Sequence, residues 1–134
     1  MASNLKYSNG TRHYQNEGLI TYAGSGAKIC IYQGTQPANA NTAISTQTLL
    51  VTCTLAGTFG TDTNGTLTLG TVNPGTAVAT GTAQFFRIFQ TDGSTVVMDG
   101  SVGTSGADLN LNNTSINITQ TVQITSGTII RNNQ

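Results

Sequence analysis

The side chains best suited to proton transfer in this chain are five carboxylates and one imidazole: Glu17, Asp62, Asp92, Asp99, Asp108 and His13. General acid–base catalysis needs such groups paired and poised near the working pH. Their spacing does not pair them. Asp92 and Asp108 flank glycine turns, where Asp is favoured because its side chain bonds nearby backbone. A Ser–His–Asp arrangement would have to recruit His13 from the N-terminal segment. Asp108-x-Asn110-x-Asn112 begins like a calcium loop, but its sixth position is Asn113 instead of Gly and its twelfth is Thr119 instead of Glu. The glycines precede Thr-rich strands and not a helix N-terminus, so no phosphate-cradling loop is expected. Cys30 and Cys53 lie in the strand-like runs Ile29-Cys30-Ile31 and Val51-Thr52-Cys53-Thr54-Leu55. They read as two buried thiols packing as small hydrophobes, with a Cys30–Cys53 disulfide as the alternative. Two cysteines do not complete a structural zinc site. The chain therefore reads as a non-enzyme, with no catalytic, cofactor-binding or metal-binding residue assigned and no cofactor expected.

The composition says what kind of frame carries these residues. Ser, Thr, Asn and Gln make up 56 of the 134 residues, 25 of them Thr, and the abundance of β-branched side chains favours strands over a helical bundle. Charged residues are 7% and the formal net charge is +0, a poor electrostatic match for nucleic acid or an anionic membrane, so neither is expected as a partner. At 37% hydrophobic residues the chain still has the material for a core. No apolar stretch has the length of a signal peptide or of a bilayer span, and the expectation is a chain made and kept in a cytoplasm.

Residues 1–26 are polar and mixed. Thr11 to Tyr22 fits a short helix with Thr11 as cap, but Gly18 interrupts it, and an extended arm or a strand at Leu19–Ala23 fits equally. From Ala27 the period becomes two. In Ala27–Tyr32 one face holds Ala27, Ile29 and Ile31; in Thr48–Leu55, Leu49, Val51, Cys53 and Leu55 face inward. Gly-Thr pairs start at 57, 60, 65, 70, 75 and 81. Five residues are too few for a solenoid coil, so this stretch reads as a flexible loop with one short strand at Leu67 and Leu69.

The strongest local signal is a hairpin. Thr82–Gln90 and Ser94–Val102 flank Asp92-Gly93. Matching Phe86 and Ile88 with the face Val96, Met98, Gly100, Val102 puts Ile88 opposite Met98 and Arg87 opposite Asp99, which pairs the only charge on each strand. Three short strands follow, at Leu109/Leu111, Ile116/Ile118 and Val122/Ile124, and Gly127 marks a bulge in the last. The expected fold is all-β: a single jelly-roll-like β-sandwich of about eight short antiparallel strands at 27–134, preceded by an N-terminal arm or short helix at 1–26.

Four stretches carry a resemblance: Gly26–Ala38, Gly81–Phe89, Asp92–Gly103 and Gly106–Leu111. In this order the chain resembles small virion structural proteins of tailed bacteriophages, of the capsid decoration or cement type. The resemblance spans most of 26–130 and its motifs are structural, so it implies a fold and a particle and no reaction. It implies a non-enzymatic protein on the outer capsid lattice, with the major capsid protein and further copies of itself (homodimer or homotrimer) as partners. Localisation would be the virion, after synthesis in the host bacterial cytoplasm. A mobile arm at 1–26 would then reach a neighbouring subunit. The alternatives are a neck, tail or fibre component, or a carbohydrate-binding β-sandwich. The last lacks Trp, and Phe85, Phe86 and Phe89 crowd one hairpin where core packing is the default.

Overall fold

The computed structural model describes residues 4–130. Its first element is a helix, α1 (Asn9–Ala23). The helix forms because both ends are capped. The Ser8 hydroxyl accepts the Thr11 N–H at 3.1 Å, and Gly24, at φ 73°, donates its N–H to the Ile20 carbonyl at 3.1 Å. Of the three conformations open to this stretch the helix is the one adopted, capped by Ser8 and not by Thr11. Asn16 and Ala23 are buried, and Leu19 and Ile20 pack on the core. Residues 9–23 are thus ordered by their own chain, and not as an arm awaiting a neighbour.

The remainder is strand and turn: β1 (Lys28–Gln33), β2 (Thr48–Leu55), β3 (Gly60–Thr63), β4 (Thr66–Leu69), β5 (Val72–Asn73), β6 (Gly75–Thr76), β7 (Gly81–Thr82), β8 (Phe85–Phe89), β9 (Val96–Gly103), β10 (Leu109–Leu111), β11 (Ser115–Ile116), β12 (Thr121–Val122) and β13 (Ile124–Ile130). The chain is mostly β, as expected, but with more and shorter strands than the eight read from the sequence. Nine form one sheet in the order β3-β4-β13-β10-β9-β8-β1-β2-β5, while β11–β7 and β12–β6 are separate two-stranded ladders. The sheet is mixed, not wholly antiparallel. β10 runs parallel to β9, with Leu109 beside Val102 and Asn110 beside Gly103. A loop of only five residues joins them. It is held folded back by Asp108, whose Oδ2 accepts the Ser101 N–H and hydroxyl, both at 3.0 Å.

The sheet curls, and chain connectivity requires it. β4 and β5 are second and ninth in the order, seven spacings apart. In a flat sheet that is ~34 Å. Leu69 and Val72 are three residues apart in the chain, which spans at most ~11 Å. The two ends are also stitched together through β6, where Gly75 pairs with Val122 just before β13. One interior results, filled from strands all round the curl: Ile29, Ile31, Val51, Cys53, Leu55, Leu67, Phe86, Ile88 and Leu109 belong to one core. Each large side chain fully buried there contributes ~1.5–3 kcal/mol.

Three register details depart from strict alternation. Between Ile31 and Tyr32 the β1–β2 ladder slips by one residue, so Leu50 joins Val51 in the core while Leu49 stands 36% exposed. A second slip, between Ile88 and Phe89, sets Val96 opposite Phe89, away from the face that Met98 shares with Ile88. A third lies between Asn110 and Leu111, where the extra residue on β13 is Thr125, not Gly127. Gly127 is small for another reason: a Cβ there would lie 2.3 Å from Leu69 Cδ1. The Gly-Thr stretch is not a flexible loop. β3 and β4 form a hairpin whose turn residues, Asn64 and Gly65, have φ 52° and 92°, the positive pair that a tight hairpin demands. Ile118 lies outside β11 and is 55% exposed. No helix among the described residues is long and apolar enough to cross a membrane.

Candidate functional site

Two polar clusters use the chemistry-bearing residues. The first is on the outer face of β1, β8 and β9. Successive strand residues alternate between faces, so β8 sends Phe86 and Ile88 inward and Phe85, Arg87 and Phe89 outward. Arg87 stands opposite Asp99, as the hairpin pattern predicted, with Ile88 opposite Met98. Its Nε and Nη2 donate to the two carboxylate oxygens at 2.6 and 2.9 Å, and the side chains are only 2% and 4% exposed. Cys30, Tyr32 and Phe85 form a small apolar cluster on that face, joined by Ile44 and Phe89. The Tyr32 and Phe85 rings stack at 5.1 Å. Burial, reinforced by the neighbouring Cys30 thiol, pushes the Tyr32 phenol up to about 12. The hydrogen bonds to Asp99 raise the Arg87 pKa against the opposing effect of burial. The guanidinium is bidentate and neutralised by its partner, which makes it a structural cation and not one presented to a ligand.

The second cluster docks α1 on the β3–β4 hairpin. Asp62 has a fully buried carboxylate. It accepts from Asn16 Nδ2 at 2.5 Å and from the Gly65 N–H at 3.2 Å, and His13 Nδ1 lies 2.7 Å away. Burial alone would raise its pKa. The hydrogen bonds from Asn16, His13 and Gly65 override that and hold it below the ordinary carboxylate value. His13 is 37% exposed and its Nε2 faces Glu17 at 3.9 Å. A shallow cleft opens beside it, lined by Gly10, His13, Tyr14, Asp62, Thr63 and Asn64. The His–Asp pairing has the form that orients a general base, but Nε2 is turned to a carboxylate instead of a hydroxyl nucleophile. Asp62 is spent on three donors, two from the helix and one from its own hairpin turn. The pairing was not readable in the sequence, because the partners are 49 residues apart and join elements whose contact no local pattern announces.

The other singled-out residues are bonded into turns. Asp92 accepts the Ser94 and Thr95 N–H groups, each at 2.9 Å, and the Thr95 hydroxyl at 2.5 Å. Those bonds, the Thr95 hydroxyl first, draw its pKa down to about 2. Asn110 accepts the Ala107 N–H and donates to Ser126, and Asn112 donates its own N–H to the Gln123 carbonyl. Neither Asp108 nor these asparagines converge on a cation site, and among the described residues no three His, Cys, Asp or Glu side chains are grouped to hold a metal. Cys30 and Cys53 are free and buried. Cys53 pairs with Ile29 and belongs to the interior core, while Cys30 pairs with Thr52 and belongs to the outer cluster. The two thiols lie on opposite faces of the sheet. Where the ends of the curl meet, a slit of about 350 Å³ remains between Thr68–Val72 and Gln123–Thr128, lined by hydroxyl, amide and aliphatic groups without a charge.

No protein-family model, no curated protein and no solved structure matches this chain.

Proposed function

We propose that the chain is a non-enzymatic virion structural protein, a decoration or cement protein that binds the outer lattice of a bacteriophage capsid. The observation that carries this reading is where its carboxylates go. Asp62, Asp92, Asp99 and Asp108 are all bonded into turns, the helix or a strand pair, and with charged residues at 7% and a formal net charge of +0 the chain has far more hydroxyl and amide side chains than charged ones to present. Such a surface suits dense repeated contacts, which are typically wet and rich in neutral hydrogen bonds. The resemblance of Gly26–Ala38, Gly81–Phe89 and Asp92–Gly103 to phage virion proteins points the same way. The fold reading that accompanies it is a jelly-roll-like sandwich, in which the two halves of the curled sheet face each other across one core. The partners are the major capsid protein and further copies of this chain, and the place is the virion. The alternative within the same class is a neck, tail or fibre part. Co-sedimentation of the purified chain with mature capsids of the phage that encodes it tests the proposal. Saturable binding at lattice stoichiometry supports it; no binding to capsids, with or without tails, overturns it.

A further inference from the structure

His13 and Glu17 are one turn apart on α1, so their side chains lie side by side at the helix surface, 37% and 47% exposed. Behind the imidazole, Nδ1 lies 2.7 Å from Asp62 Oδ2. Asp62 is held ionised by its other donors, Asn16 and the Gly65 N–H, and an ionised carboxylate only accepts. The proton of the His13–Asp62 bond therefore belongs to Nδ1, and in the neutral ring Nε2 carries a lone pair. That lone pair faces Glu17 Oε1 at 3.9 Å, beyond hydrogen-bond reach. Two acceptors confront each other across a gap that a cation or a proton can join.

We propose that His13 Nε2 and Glu17 form a two-ligand site for a divalent transition cation of the zinc type, with Asp62 as the positioning residue behind the ring. Zinc binds imidazole nitrogen and carboxylate oxygen at ~2.0–2.2 Å, which at a tetrahedral angle sets the two ligand atoms ~3.4 Å apart. The observed gap is wider by about half an ångström, and a small rotation of the exposed Glu17 side chain closes it. A carboxylate behind a ligating histidine fixes the tautomer and the ring orientation, which is the part Asp62 plays here. The donor pair selects the cation: imidazole with carboxylate suits zinc, nickel or copper, whereas magnesium and calcium take oxygen ligands. A cleft lined by Gly10, Tyr14, Thr63 and Asn64 opens beside the ring and gives waters room to complete the coordination. With two protein ligands instead of the four of a structural zinc centre, the site is an exchangeable one on the docked face of α1. This inference goes beyond the virion reading and does not depend on it.

Zinc chloride titrated into the isolated full chain tests it, at about pH 8, above the ordinary imidazole range. His13 is the only histidine, so its ring-nitrogen NMR signals are unambiguous. Before zinc is added they should report a proton on Nδ1, as the Asp62 bond requires. Zinc should then move the Nε2 signal and saturate at one equivalent, while magnesium chloride leaves it in place. Calorimetry should find zinc bound at least ~10-fold more weakly by Glu17→Gln, a substitution at an exposed side chain that leaves the His13–Asp62 contact intact. A resting proton on Nε2, an Nε2 signal that zinc does not move, or an affinity that Glu17→Gln leaves unchanged overturns the proposal. Because no capsid is present, the result is separate from the outcome of capsid binding.

Discussion

Arg87 and Asp99 face each other across the β8–β9 hairpin, joined by two hydrogen bonds at 2.6 and 2.9 Å on the side of the sheet away from the main core. A buried pair of this kind is costly to break and cheap to replace whole. Arg87→Ala or Asp99→Ala alone is expected to cost roughly 3–5 kcal/mol, since each leaves an uncompensated buried charge. An Arg87→Ala/Asp99→Ala double variant should cost clearly less than the sum of the two single losses. Urea unfolding of the four proteins reads the coupling. Additive single effects would mean the two groups do not interact.

Cys30 and Cys53 sit on adjacent strands with their side chains on opposite faces, so their Cβ vectors point apart and no bond can form without moving the backbone. After treatment of the folded protein with diamide, mass spectrometry should find no Cys30–Cys53 link. Burial raises the Cys53 pKa, so its thiol should also be slow toward alkylating reagents until unfolding. Cys53→Ala should cost on the order of 1–2 kcal/mol through a small cavity. A native intramolecular disulfide would contradict this placement.

The Asp62 clamp predicts a pH dependence. Its folded pKa is lowered, so its stabilisation is fully present above the ordinary carboxylate value of ~3.9 and is lost as pH falls through the lower folded value. Asp62→Asn should therefore unfold with a flatter acid limb than the wild type. At neutral pH, Asp62→Ala leaves the buried Asn16 amide without its acceptor and should cost roughly 2–3 kcal/mol. Loss of far-UV helix signal before the sheet melts would mark undocking of α1. Parallel acid limbs for wild type and Asp62→Asn would show that the carboxylate is not what responds.

At the Asn64-Gly65 turn, Gly65 combines φ 92° with the Arg12 side chain packed on its open face. Gly65→Ala should cost about 1–2 kcal/mol from the left-handed backbone alone. Thermal unfolding is the check, and an unchanged melting temperature would mean the turn relaxes freely.

The legible parts of this fold are those whose signals are local. The Arg87–Asp99 register could be read because each strand carries a single charge among alternating apolar residues around Asp92-Gly93. The inward choice at Leu49-Leu50 could not, because two adjacent leucines satisfy either phase and a slip in the ladder decides between them. Asn64-Gly65 was a readable hairpin signal, masked by the Gly-Thr beat around it. The helix was obscured because its inner face relies on Asn16 and His13 to reach Asp62, and polar residues at those positions blur the apolar period. The parallel β9–β10 pair was hidden for a similar reason: it depends on Asp108 bonding back to Ser101, a contact that alternation does not reveal. Of the candidate site residues, the sequence identified Arg87 with its partner and missed that of His13.

If this chain is, as proposed, a repeated part of a capsid surface, its copy number follows the lattice. Quantitative mass spectrometry of purified virions, with the major capsid protein as internal reference, measures that directly. The expected result is a copy number in fixed proportion to the major capsid protein. A number matching a single ring at the neck or tail, or absence from the particle, would contradict it.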